Sequence, residues 1–183
     1  MKRRYVLFAL VFLKSFNLFS QESYIKQDSI PWSKKARLQW SDFTGRPDTS
    51  SQGTAGCAAA IYVKGIRDKG LPKFLVSNFF IKSRAWTKDT ISFILLRHEQ
   101  LHFDIAEVYA RKIRKAIDSL RRRKVKTVNN YSVEITKLLK MRDETDGLYD
   151  EQTSHGVNGK EQSDWDQKIL KELEALSDYE FKK

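Results

Sequence analysis

The sequence predicts a single α+β domain: a small, mainly antiparallel sheet packed on one long helix, with further helices behind it. Three observations predict it. Short runs rich in aromatic and β-branched residues occupy positions 37 to 86, an apolar pattern of helical period runs from about 89 to 120, and two shorter helical patterns follow. The 183 residues, less an N-terminal segment of 20, fit one domain with a sizeable core.

In chain order, residues 1–20 read as a secretory signal. Lys2-Arg3-Arg4 forms the charged start, Tyr5 to Leu13 the apolar run, and polar and small residues lead to Ser20-Gln21. That run is too short to span a bilayer, and no second apolar span follows it, which argues against an integral membrane protein. Residues 21–35 are polar and read as a flexible lead-in, and the domain proper is expected over 36–183. Arg37 to Phe43 alternates apolar with polar and reads as a strand stopped by the turn Gly45-Arg46-Pro47. Residues 50–56 are small and polar, a loop by composition. Ala58 to Ile66 reads as a strand, and Phe74 to Trp86 is the strongest strand segment in the chain. Its polar end, Lys82-Ser83-Arg84, suits an edge strand able to pair with an extended substrate.

The long helix is expected to start at Asp89 or Thr90, with Ile91, Ile94, Leu101, His102, Ile105, Tyr109, Ile113 and Leu120 on its core stripe. Arg121-Arg122-Arg123-Lys124 suits its C-terminal end, where cations meet the negative end of the helix dipole. Helices are predicted over Tyr131–Met141 and Gln162–Tyr179, the second with Trp165, Ile169, Leu173 and Leu176 at core spacing. Gly147 to Gly159, with its glycines and no periodicity, reads as a loop.

One stretch specifies chemistry. His98-Glu99-Gln100-Leu101-His102 is an H-E-x-x-H motif inside the long helix, and imidazoles four residues apart project to one side and can hold one metal ion. Both lie on the core side, where a histidine pair needs hydrogen bonds or a metal. Glu99, a quarter turn from the stripe, is placed to reach a cleft as the general base. The chain has three histidines, and the third, His155, is the candidate third ligand, with Glu151 and Asp150 as carboxylate alternatives. The downstream-histidine spacing of metzincins fails, because Val108 occupies that position. Tyr149 is the candidate oxyanion donor, with a packed loop tyrosine as the plain alternative. Asp104 falls about 120° from His98 around the helix and is expected to bond neighbouring loops. Trp40 and Asp42 read as structural, one a core aromatic and the other a turn or cap former.

His98 to Asp104, followed by Ile105-Ala106-Glu107-Val108-Tyr109-Ala110-Arg111, resembles a bacterial family catalogued as domain of unknown function 922. Its label as secreted zinc-dependent proteases rests on the same motif. Leu38 to Pro47, and Tyr149-Asp150 with Thr153, His155 and Gly156, look like the family's other two signatures, so the likeness runs from about Trp32 to Tyr179. Leu101 departs from the glycine more frequent after H-E-Q, at a position the metal chemistry leaves free. The resemblance implies a zincin-like peptidase fold.

The functional expectation is a secreted or periplasmic zinc peptidase. His98, His102 and His155 would hold Zn2+, Glu99 would activate water, and the partner would be a peptide or protein substrate. The alternative is a non-catalytic envelope binding protein that keeps a metal site. Without residues 1–20, which carry Lys2, Arg3, Arg4 and Lys14, the formal charge falls from +11 to +7. That basic surface suits an anionic envelope surface, and no nucleic-acid module accompanies it. Cys57 is expected as a small buried residue, and one cysteine allows no intramolecular disulfide.

Overall fold

The computed structural model describes residues 28–35, 37–66 and 70–181. The expected signal segment and residues 21–27 of the expected lead-in lie outside the described residues. Strands β1 (Ser29–Pro31), β3 (Ala59–Ile66) and β4 (Lys73–Ile81) form an antiparallel sheet in the order β1-β4-β3, and β2 (Ala55–Gly56) pairs with β5 (Trp86–Thr87) in a separate ribbon. Three helices follow: α1 (Phe93–Arg122), α2 (Val128–Thr153) and α3 (Gly159–Ala175). The architecture is therefore α+β, with the small antiparallel sheet and the C-terminal helices that the sequence predicts.

Strand β4 holds the centre of the sheet, with Ser29 opposite Ile81 on one side and Val63 opposite Val76 on the other. This corrects the edge-strand expectation for the 74–86 segment. Lys82–Arg84 leaves the sheet as a 3-10 turn, and the register beside β4 is taken up by Ser29–Pro31 from the expected lead-in. Alternate residues Val76, Asn78 and Phe80 are buried. Val76 joins Ala110, Ile113 and Ile117 of α1, while Phe80 packs on Phe103, Leu38 and Phe43.

The Arg37–Phe43 segment forms no strand. Asp42 Oδ2 accepts the Gln39 amide at 3.0 Å and its Oδ1 pairs with Lys82 at 3.0 Å, so a 3-10 turn forms over Trp40–Asp42. Asp42 is the cap former the sequence suggests, and half-buried Trp40 meets Phe43 edge-on.

Helix α1 begins later than expected. Asp89 Oδ1 accepts the Ile91 and Ser92 amides, and Ser92 Oγ accepts the Leu95 amide, so Ser92 is the cap. Ile91 and Ile94, assigned to the core stripe, are 91% and 63% exposed because they stand at or before the first turn, ahead of the packed part of the helix. From His98 to Arg111 every residue of α1 is buried, since the sheet, α2 and α3 all pack on it. A helix buried all round must satisfy each polar side chain it carries. Asp104 accepts from Trp32 Nε1 (2.8 Å), Gln100 Nε2 (3.0 Å) and Arg37 Nη1 (3.0 Å), which ties the N-terminal arm to α1, as expected of a residue that bonds its neighbours. Glu107 accepts from Arg111 Nε at 3.1 Å and Arg114 Nη1 at 3.0 Å.

Helix α2 overturns the loop expected from Gly147. It runs unbroken to Thr153, and Gly147 lies inside it with open space around its Cα. The remaining core, Leu101, Ile105, Val108 and Tyr109 with Tyr149, Trp165, Ile169 and Leu176, fills the space between the three helices and includes the stripe foreseen on α3.

Candidate metal centre

His98 and His102 stand one turn apart on the buried part of α1 and face α2, where Asp146 and Asp150 also stand one turn apart. The four side chains meet. His98 Nε2 and His102 Nε2 are 3.2 Å apart, and Asp150 Oδ1 lies 3.1 Å from the first and 3.0 Å from the second. These three atoms form a nearly equilateral triangle. A tetrahedral shell with zinc–ligand bonds of about 2.0–2.1 Å has edges of roughly 3.3–3.4 Å, so the triangle is a tetrahedron face drawn in by a few tenths of an ångström.

The outer hydrogen bonds fix which ring nitrogens carry protons. Gln162 donates its amide to Asp166 Oδ1 at 3.0 Å, which turns its carbonyl oxygen toward His98, 3.2 Å from Nδ1. Asp166 is itself held by Arg97. His102 Nδ1 donates to Asp146 Oδ1 at 2.8 Å. Both rings therefore commit Nδ1–H outward and turn Nε2 inward, the arrangement by which outer partners orient metal-binding histidines. While both imidazoles are neutral, two inward lone pairs and a carboxylate oxygen then face one another with no donor among them. Such a set of acceptors needs a cation, either a metal ion or a proton.

The electrostatics agree. Burial opposes charge on His102, but the carboxylates of Asp146 and Asp150 outweigh it and hold the imidazole well above its usual range. Burial likewise opposes ionisation of Asp150, yet hydrogen bonds from His102 and His98 hold it well below the usual carboxylate range. Asp146 is also lowered, against its burial, by His102 and Arg142. With no metal bound, a proton shared among these groups is the cation.

Glu99 is buried, and burial pushes its carboxyl up, against the pull of the two histidines. It accepts the Cys57 amide. Instead of reaching an open cleft it sits against the segment that joins β2 to β3. Cys57 is half-buried there, and its thiol is raised well above its usual range by burial and then by Glu99.

Tyr149 is fully buried. Its ring stacks on His98 at 4.6 Å, and its hydroxyl lies 2.7 Å from Gln162 Oε1 and 3.2 Å from the His98 carbonyl. That hydroxyl is engaged inside the protein. His155 occupies the turn after α2, where Ser154 and His155 both adopt left-handed backbone and Gly156 has φ +87°. His155 Nδ1 lies 3.4 Å from Asp150 Oδ1, and His98, Asp150 and His155 form a cluster able to hold a metal ion. Glu151 is exposed and makes no side-chain contact with these groups among the described residues. Sequence reasoning missed Asp146 and Gln162, and it met Gly156 only as part of a family signature, with no role assigned. Asp146 carried a signal, its spacing of four from Asp150, while Gln162 carried none.

Residues 71–156 match the family described as "Bacterial protein of unknown function (DUF922)". The chain carries a DUF922 region. The match is narrower than the likeness from Trp32 to Tyr179, and the Leu38–Pro47 signature lies outside it. The DUF922 region takes in the whole of β4, α1 and α2 and the turn that ends at Gly156, so it contains every inward-facing donor of the cluster. The family's description assigns it no function. No curated protein and no solved structure matches the chain.

Proposed function

We propose that this DUF922 protein is a zinc-dependent peptidase of zincin-like type, acting in the bacterial periplasm or outside the cell. The observation that carries the proposal is the triangle formed by Nε2 of His98, Nε2 of His102 and Oδ1 of Asp150, 3.0–3.2 Å apart. Two imidazole nitrogens and one carboxylate oxygen suit zinc and leave a position open for catalysis. In this reading Asp150 is the third ligand, one of the carboxylate alternatives to His155. When bound, zinc supplies a Lewis acid that acidifies water and polarises a carbonyl.

The protein's own residues do the rest. His98 and His102 bind through neutral Nε2 atoms, each kept in that tautomer by Gln162 or Asp146. Glu99, raised by its burial, takes the proton from the attacking water and returns it to the leaving amine. Tyr149, stacked on His98 and bonded to Gln162, positions the ligand and is not the oxyanion donor. Localisation rests on the charged and apolar pattern of residues 2–13. Among the described residues no helix is long and apolar enough to cross a membrane.

The test is elemental analysis of the purified protein with peptide hydrolysis, for wild type beside Glu99→Gln. One zinc per chain in both, with hydrolysis in the wild type only, is the expected result. Hydrolysis undiminished in Glu99→Gln refutes the base assignment. Metal without hydrolysis in either protein moves the chain to the non-catalytic envelope binding protein.

A further inference from the structure

His155 differs from the other three donors in ways that set it a role of its own. His98, His102 and Asp150 come from the packed faces of α1 and α2, with side chains at most 18% exposed, whereas the His155 side chain is 67% exposed. Their mutual distances are 3.0–3.2 Å. His155 Nδ1 stands slightly further out, 3.4 Å from Asp150 Oδ1, with the His98, Asp150 and His155 ligand atoms all within 4.8 Å of one another.

The backbone holds it there at a cost. Ser154 and His155 both have φ near +50°, a region unfavourable for residues with a side chain. The turn is kept by the His155 amide on the Asp150 carbonyl at 2.9 Å and the Asn158 amide on the Thr153 carbonyl at 2.8 Å. Gly156 then presses against the His98 side chain, so the turn is anchored on the very ligand beside which it places a third imidazole.

We infer that His155 is an exchangeable fourth ligand, which completes the metal shell at rest and yields its place when a substrate or water enters. The inference rests on the metal-centre reading above and deepens it. Three ligands held by helices keep the ion, and the fourth, on an exposed turn, decides whether the centre is closed, as in structural zinc sites, or open, as in catalytic ones. A tethered imidazole competes for that position at an effective concentration on the millimolar order.

The test uses the full chain loaded with cobalt(II) alone, whose visible ligand-field bands report the shell directly. His155→Asn is the first variant, because asparagine tolerates the left-handed backbone and keeps the turn. His155→Ala is the second, and far-UV circular dichroism checks the fold of both. Both variants should bind one cobalt per chain, about tenfold more weakly than wild type. Their bands should change in position and intensity, and millimolar imidazole should restore the wild-type spectrum. Wild type should resist added imidazole up to roughly tenfold higher concentration, because the tethered ring must be displaced first. Variants with wild-type bands and affinity would place His155 outside the shell and overturn the inference. Folded variants that bind no cobalt beside a wild type that does would make His155 an obligatory ligand, which also overturns it. A wild type that binds no metal removes the centre itself, a failure of the underlying reading that the first measurement identifies.

Discussion

Two glycines in the same stretch of chain should respond to alanine with opposite signs. Gly156 has φ +87°, and a Cβ added there would lie 2.9 Å from His98 Cβ and 3.1 Å from its Cγ. Left-handed backbone costs an alanine about 1–2 kcal/mol. His98 cannot withdraw freely, since it is buried between the Tyr149 ring and Gln162, so the overlap adds about 1–3 kcal/mol. The sum, roughly 2–5 kcal/mol, corresponds to a fall in melting temperature on the order of 10 °C for a domain of this size. If the protein instead relieves the contact by moving His98, the loss shows as weaker metal binding. Gly147 is the control: it sits inside α2 with nothing within 4 Å of an added Cβ. Gly147→Ala should therefore stabilise the helix by about 0.5–1 kcal/mol. Thermal melts of the two variants and wild type, with a metal titration of each, decide the matter. A Gly156→Ala protein that melts within about a degree of wild type and keeps its metal affinity would refute the packing argument.

Asp146→Ala removes the outer partner of His102 and should weaken metal binding about 10- to 100-fold without abolishing it, as measured by competition with a chromogenic chelator. Asp104→Ala leaves Trp32 and Gln100 without their acceptor and should cost about 1–3 kcal/mol in denaturant melts, with metal content unchanged because Asp104 lies away from the centre. In metal-free protein the raised His102 contributes stability that is full below its unfolded pKa of about 6.5 and is lost as pH rises through its higher folded value. The lowered Asp146 and Asp150 contribute stability that is full above about pH 3.9 and is lost as pH falls toward their folded values. Metal-free protein should thus be most stable between roughly pH 4 and 6.5, and melts after chelation that improve steadily above about pH 7 would contradict this.

The long helix and its two histidines were legible because H-E-x-x-H sits in an apolar pattern of clear period. The partner helix was not. Of the 26 residues of α2 only Tyr131, Ile135, Arg142, Tyr149 and Thr153 are buried, so it shows no apolar stripe, and Gly147 reads as a breaker. Its legible signal was polar, the i and i+4 spacing of Asp146 and Asp150, matching that of His98 and His102. The apolar alternation at 37–43 misled because local side-chain bonds, those of Asp42 above all, close a turn where no strand partner is available. The edge position given to the 74–86 segment failed for a long-range reason: its neighbour Ser29–Pro31 comes from a polar stretch whose composition carries no strand signal. Gln162 and Gly156 matter through contacts made only by the fold.

The chain of bonds from Arg97 through Asp166 to Gln162 gives this site a handle at its surface. Gln162 presents oxygen to His98 because Asp166 claims its amide hydrogens and the Tyr149 hydroxyl donates to its oxygen, and Asp166 is held by a partly exposed arginine. Release Asp166, and the Tyr149 hydroxyl alone holds the Gln162 carboxamide against turning over. Were it to turn, its nitrogen would donate to His98 Nδ1, the proton would move to Nε2, and the electron pair aimed at the centre would be gone. Exchanging two nearly isosteric ends of one amide thus suffices to silence a ligand, and a substitution at Arg97, outside the cluster of donors, is enough to begin it.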